Sequence, residues 1–136
     1  MTAVPTELVC VGLAGLLVIV QILLPSGARM MANGLTWAAG PRDTVPAPLP
    51  PAAARAERAL RNMLETFPVF VGFAIAVVVA GVSSDWTRTG AILYLVARIA
   101  YVPAYVFHIQ FVRSGLWGMA LLGIFILAAP LVAGVL

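Results

Sequence analysis

The chain has 136 residues, 62% of them hydrophobic and only 10% charged, and its mean hydropathy is strongly positive. That balance excludes an ordinary soluble domain, in which about a quarter of the residues are charged. The net charge of +3 is carried by arginine with no lysine, and guanidinium groups match carboxylates through paired hydrogen bonds without losing their proton.

Four apolar stretches, Leu8–Leu24, Phe67–Gly81, Ala91–Phe107 and Leu116–Leu136, each approach the ~20 residues needed to cross the hydrocarbon of a bilayer. They predict an all-α fold, an integral membrane four-helix bundle, with residues 1–136 as one domain. The first stretch reads as a retained helix, not a secretory signal. Its flank from Met1 to Glu7 lacks Arg and Lys and carries an acid, and no clear small-x-small cleavage site closes the apolar run before Pro25. Cys10, the single cysteine, reads as an inert small hydrophobe. The spacing of Gly12 and Gly15 predicts close contact with another helix.

A long connection follows, from Pro25 to about Ala52, carrying Arg29, Arg42 and Asp43. Four prolines between Val45 and Pro51 favour extended backbone there, and Pro50 and Pro51 suit the first turn of the next helix. That second helix is predicted from Ala53 to Gly81, roughly 40 Å at 1.5 Å per residue, so its first turns protrude beyond the hydrocarbon. Projected at about 100° per residue, Arg55, Arg58, Arg61, Asn62 and Glu65 share an arc of about 120°, while Glu57 points elsewhere.

Ser83, Ser84 and Asp85 form an N-cap cluster ahead of the third helix. There Tyr94, Arg98, Tyr101 and Tyr105 share an arc of about 60°. Pro68 and Pro103 are expected to bend the second and third helices beside these polar residues. His108 ends the third helix as a solvated or capping residue, and Arg113 and Ser114 fall in a third connection around Ile109 to Gly115. Trp37, Trp86 and Trp117 lie near the ends of apolar segments, as interfacial anchors do. The first and third connections, with the head of the second helix, hold six of the eight arginines. The positive-inside rule therefore places that side in the cytoplasm and both termini outside.

Around the two polar stripes stand Arg55, Arg58, Arg61, Arg98 and Arg113, against Glu65 and Glu57. Two readings follow: an internal network in which Glu65 neutralises one arginine, or a site for an anion such as a carboxylate ligand or lipid phosphate. One histidine and one cysteine supply no metal-binding set, and the arginines are not gathered on a soluble face as nucleic acid would require.

The run Arg58-Ala-Leu-Arg61-Asn62-Met-Leu-Glu65-Thr66 resembles the second-helix signature of the MAPEG superfamily, the membrane-associated proteins of eicosanoid and glutathione metabolism. Arg98-Ile-Ala-Tyr101-Val-Pro-Ala-Tyr105 and the later Arg113-Ser114 resemble its second motif. The resemblance covers nearly the whole chain and implies a homotrimer, with glutathione held between helices of adjacent subunits. Carried over, it implies that Arg58, Arg61, Asn62, Glu65 and Tyr105 contact glutathione as cosubstrate. Arg98 and Tyr101 belong to the same third-helix motif, Arg113 stabilises the thiolate, and Ser114 stands beside it. Arg29 is offset from an arginine that catalytic members often carry near the end of the first helix, and Trp117 replaces a tyrosine of some members. The implied activity is glutathione-dependent transfer to, or reduction of, small hydrophobic electrophiles at a bacterial-type inner membrane. The other reading is a non-catalytic relative, an assembly partner or lipid-binding subunit.

Overall fold

The computed structural model describes residues 3–134, so the outermost residues of the N-terminal flank and of the fourth apolar stretch lie outside the described residues. Five helices follow in order: α1 (Thr6–Asn33), α2 (Leu35–Ala39), α3 (Pro51–Val79), α4 (Asp85–Val106) and α5 (Gln110–Ala133). Among the described residues there is no strand. The four long helices are each long and apolar enough to cross a bilayer.

The four predicted membrane helices are present, with the short α2 added inside the first connection, but two boundaries move. The first helix runs through Pro25 to Asn33, where the sequence suggested a connection from Pro25 onward. Proline costs the helix one backbone bond, to the carbonyl of Gln21, and the residues beyond it are compatible with helix. The third connection is likewise short. His108, left-handed at φ 62°, turns the chain between α4 and α5, and Arg113 and Ser114 fall in the opening turns of α5. Helices α3 and α4 continue unbroken through Pro68 and Pro103.

Pro51 takes the first turn of α3, as expected from its missing N–H. Ser84 caps α4 in a reciprocal box with Thr87, each side chain bonding the other's backbone N–H. The Thr87 hydroxyl also donates to Glu7 Oε1 at 2.6 Å, tying the start of α1 to the start of α4. A carboxylate there meets the positive end of the α4 dipole.

The core gathers Cys10, Ala14 and Val18 from α1, Phe70, Ala74 and Val77 from α3, Ala91 and Tyr94 from α4, and Ala120 and Leu127 from α5. Phe70 and Tyr94 stack with centroids 4.0 Å apart. Leu16, Ile19, Leu23, Phe125 and other large apolar side chains are exposed, the arrangement of a bundle whose solvent is lipid.

The tightest crossing joins α4 and α5 at Gly90 and Gly123. A Cβ on Gly90 would lie 2.7 Å from the Gly123 carbonyl oxygen, and one on Gly123 would lie 2.7 Å from that of Gly90. This is the close approach that small residues permit between membrane helices. The expectation attached to Gly12 and Gly15 is not met within the chain. Nothing lies within 4 Å of a Cβ on Gly12, and only the Phe67 ring tip, at 3.9 Å, approaches Gly15.

Candidate functional site

The first half of α3, the end of α4 and the start of α5 meet at one end of the bundle, and the polar residues of both predicted stripes are concentrated there. At the centre lies Arg98, whose side chain is almost fully enclosed at 1% exposure. Its Nη1 donates to Asn62 Oδ1 at 2.8 Å and its Nη2 to Thr66 Oγ1 at 2.6 Å. The rings of Tyr94 and Tyr101 flank it, with the guanidinium carbon 5.6 and 5.4 Å from their centroids. Its Nε is buried with no partner among the described residues.

Thr66 closes this network. Its hydroxyl accepts from Arg98 and lies 3.1 Å from the Tyr94 hydroxyl, which reaches Met63 Sδ at 3.8 Å. The sequence reading passed over Thr66 as a site residue. Its signal was its position, one turn after Asn62 on the same face of α3.

Arg98 fixes Asn62 by occupying its carbonyl oxygen, which turns the amide nitrogen toward Glu65 Oε2 at 3.4 Å. Neither Arg98 nor any other arginine forms an ion pair with Glu65 among the described residues. The internal neutralisation by Glu65 that the sequence left open is therefore not the arrangement found. Glu57 does point elsewhere. It takes both hydrogen bonds from Arg29 Nη2 at 2.8 Å, linking α1 to α3 away from the stripe.

Arg55 donates from Nε to the carbonyl of Val106 at 2.7 Å, joining the head of α3 to the last turn of α4. Arg58 and Arg61 are exposed and make no hydrogen bond or ion pair among the described residues. Arg113 lies over the Tyr105 ring, 4.8 Å from its centroid, which aims the guanidinium without neutralising it. Ser114 donates to the carbonyl of Gln110 in its own helix at 3.2 Å.

Two cavities open on this side. A polar one of about 360 Å³ is lined by Asn62, Tyr101, Arg113, Ser114 and Trp117. A second, of about 450 Å³, lies deeper between α3 and α5 and is nearly all apolar, with Thr66, Val69, Phe73, Leu121 and Phe125 among its walls and Glu65 at its polar edge. Of the predicted site residues, Asn62, Tyr101, Arg113 and Ser114 share the polar cavity. Arg98 stands behind it, bonded to Asn62, and Tyr105 lies beneath Arg113. Arg58 and Arg61 project from α3 outside its walls. Trp117, read from sequence only as an interfacial anchor, is a wall of the cavity. It follows Arg113 by one helical turn once the start of α5 is known.

The polar groups that line the cavity include one guanidinium, two hydroxyls and one amide, a set that recognises carboxylates or phosphate. No metal could be held by a cluster of three or more His, Cys, Asp or Glu among the described residues. No curated protein and no solved structure matches the chain. The MAPEG family model does, over residues 7–133. The chain thus belongs to the MAPEG family, as an integral multi-pass membrane protein of the eicosanoid and glutathione metabolism kind.

Proposed function

We propose that this protein is a membrane-bound glutathione-dependent transferase or peroxidase acting on small hydrophobic electrophiles. One observation carries the reading: Arg113 lines a 360 Å³ cavity, Arg98 stands behind it, and Arg55, Arg58 and Arg61 lie on the adjoining stretch of α3, with no carboxylate paired to any of the five among the described residues. Glutathione has two carboxylates and one ammonium group, a charge pattern that this surplus of guanidinium complements. Arg58 and Arg61 are free to reach its carboxylates, Asn62 and Tyr105 add polar contacts, and Glu65 suits its ammonium group. Arg98 and Tyr101 form the floor.

Arg113 and Ser114 then face the sulfur. A guanidinium beside a thiol favours the thiolate, which is the nucleophile. Attack on an electrophilic carbon forms a C–S bond and expels the leaving group, or passes the electron pair to a conjugated acceptor that takes up a proton. The apolar cavity along α3 and α5 supplies a place for an acceptor arriving through lipid. On this reading the Arg-rich end faces the cytoplasm, where glutathione is abundant, and the protein is a homotrimer in an inner membrane of bacterial type.

Detergent-purified protein is expected to conjugate a generic electrophile such as a chloronitrobenzene. Arg113→Ala is expected to lose turnover while glutathione still raises the melting temperature, and equal turnover in the variant removes Arg113 from its role. The buried bonds of Arg98 to Asn62 and Thr66 favour a second reading, because they complete a structural network without any ligand. On that reading the protein is a non-catalytic assembly partner or lipid-binding subunit. Glutathione would then leave the melting temperature unchanged, and Arg58→Ala would dissociate the oligomer.

A further inference from the structure

The bend between α1 and α2 holds a second group of cationic donors, separate from the proposed glutathione site. It encloses a small cavity of about 70 Å³, walled by Ser26, Arg29, Trp37 and Arg42 with Met30 and Ala38. At ~30 Å³ per water this is room for about two waters, enough for one phosphate group and too little for a tripeptide.

Three features of the backbone and side chains converge on it. Trp37 Nε1 is buried and has no partner among the described residues, and an indole nitrogen can only donate. Arg42 is one of two non-glycine residues with positive φ among the described residues, at 59°, a conformation that costs energy in an arginine. That conformation folds its side chain back over α2. Nε and Nη2 donate to the carbonyl of Ala38 at 3.3 and 3.0 Å, and the guanidinium lies 5.6 Å from the Trp37 ring centroid. Arg29 spends only Nη2 on Glu57, which leaves its Nε and Nη1 uncommitted among the described residues.

The charges nearby balance, Arg29 and Arg42 against Glu57 and the adjoining Asp43, but Glu57 takes only Nη2 of Arg29 and Asp43 is in no ion pair among the described residues, so the donors that line the cavity outnumber its acceptors. A single water could accept from the indole, but it would leave the uncommitted nitrogens of Arg29 in the same small cavity without an acceptor. An anion answers all of the donors together.

The depth also fits. Helix α1 has 28 residues where ~20 cross the hydrocarbon, so the turns from Ser26 onward overhang toward the headgroups. We propose that this bend binds a phosphate anion, either the headgroup phosphate of an anionic lipid or a free phosphate, through Arg29, Arg42, the Trp37 indole N–H and the Ser26 hydroxyl.

The test follows the indole N–H signals of the full chain by nitrogen-15 NMR in phosphate-free maltoside micelles. In one arm inorganic phosphate is titrated at constant ionic strength, and in the other the micelles are doped with phosphatidylglycerol. A saturable downfield shift of the Trp37 signal is expected, with those of Trp86 and Trp117 unmoved. Arg42→Gln should weaken binding roughly tenfold or more, the size of one charge-assisted hydrogen bond. A shift with inorganic phosphate alone identifies a soluble ligand, a shift with the lipid alone identifies a headgroup, and a shift with both shows that the phosphate group itself is recognised. A Trp37 signal unmoved in both arms overturns the proposal, as does equal affinity in Arg42→Gln. If that variant shifts the Trp86 or Trp117 signal without ligand, and so is misfolded, Trp37→Phe replaces it. Phosphorus-31 broadening of added phosphate or lipid by that variant, undiminished from the original protein, overturns the proposal equally.

Discussion

The two ends of the bundle are built on opposite plans. Where α3 turns into α4, polar groups bond one another: Ser84 and Thr87 cap reciprocally, and Thr87 holds Glu7 of α1. Below them Gly90 and Gly123 bring two backbones into contact. At the other end, Arg58, Arg61 and Arg113 have no carboxylate partner among the described residues, and cavities open between the helices. The closed end uses its polar groups to hold helices, whereas the open end, besides such contacts, leaves Arg58, Arg61 and Arg113 without an internal acid among the described residues, as the proposed ligand site requires. Substitutions at the two ends should therefore separate, the first acting on stability and the second on ligand and turnover.

The largest effect is expected at the closed end. Gly123→Ala must place a methyl 2.7 Å from a backbone oxygen, and backbone cannot rotate aside as a flexible side chain can. Overpacking of this kind costs typically ~1–3 kcal/mol and more where backbone must shift. A thermal melt in detergent should show a large drop, with glutathione affinity of the surviving folded fraction unchanged. Next comes Arg113→Ala at the open end, where turnover should fall on the order of a hundredfold, comparable to removing a donor that stabilises a developing anion. Its melting temperature should fall by no more than a few degrees, since a stack of one half-buried guanidinium over one aromatic ring contributes only ~0.5–1 kcal/mol. A variant that lost stability and turnover together would break the division between the ends.

Thr66→Val sharpens the boundary, because Thr66 belongs to both plans. It lies against the apolar cavity, yet its hydroxyl serves Arg98 and Tyr94. Valine keeps the shape and leaves a buried guanidinium nitrogen short of an acceptor, for a cost of about 1–3 kcal/mol. Release of Arg98 should also free Asn62, so a moderate fall in melting temperature is expected together with weaker glutathione binding. Isothermal titration and a melt on the same sample would check both.

The comparison also shows which parts of the molecule could be read in advance. The stripes of α3 and α4 were legible because a period of 3.6 sorts residues by face, and Arg58, Asn62, Glu65, Arg98 and Tyr101 fall where that sorting puts them. Which of them is enclosed was not legible. Arg98 is buried and Arg58 exposed because of how far each lies from the α3–α4 contact, a distance set by two helices at once. The Gly90–Gly123 crossing was hidden for the same reason, while the visible glycine spacing in α1 makes no such contact within the chain. Helix ends escaped where their chemical signals are weak. Residues 26–33 are helical without being strongly apolar, and α5 begins after Ile109 with no side-chain cap.

The smallest effect tests the comparison most directly, because it sets one exposed arginine at each end against the other. Arg88 already has a partner, Asp85 at 2.9 Å, and both side chains are largely in solvent. An exposed pair of that kind contributes little to stability. Arg58 is similarly exposed but has no acidic partner among the described residues. If the open end holds its charges for glutathione, Arg58→Ala should weaken binding several-fold, as loss of one solvent-screened contact to a carboxylate does, while Arg88→Ala should leave both binding and melting temperature as they were. The two substitutions remove the same charge from a protein of net +3, so any difference reports position and not total charge. Raising the salt should narrow the gap for Arg58, whose attraction to an anion is screened, and should change nothing for Arg88. Equal losses in the two variants would mean that glutathione senses only the overall field, and the distinction between the ends would then be one of packing alone.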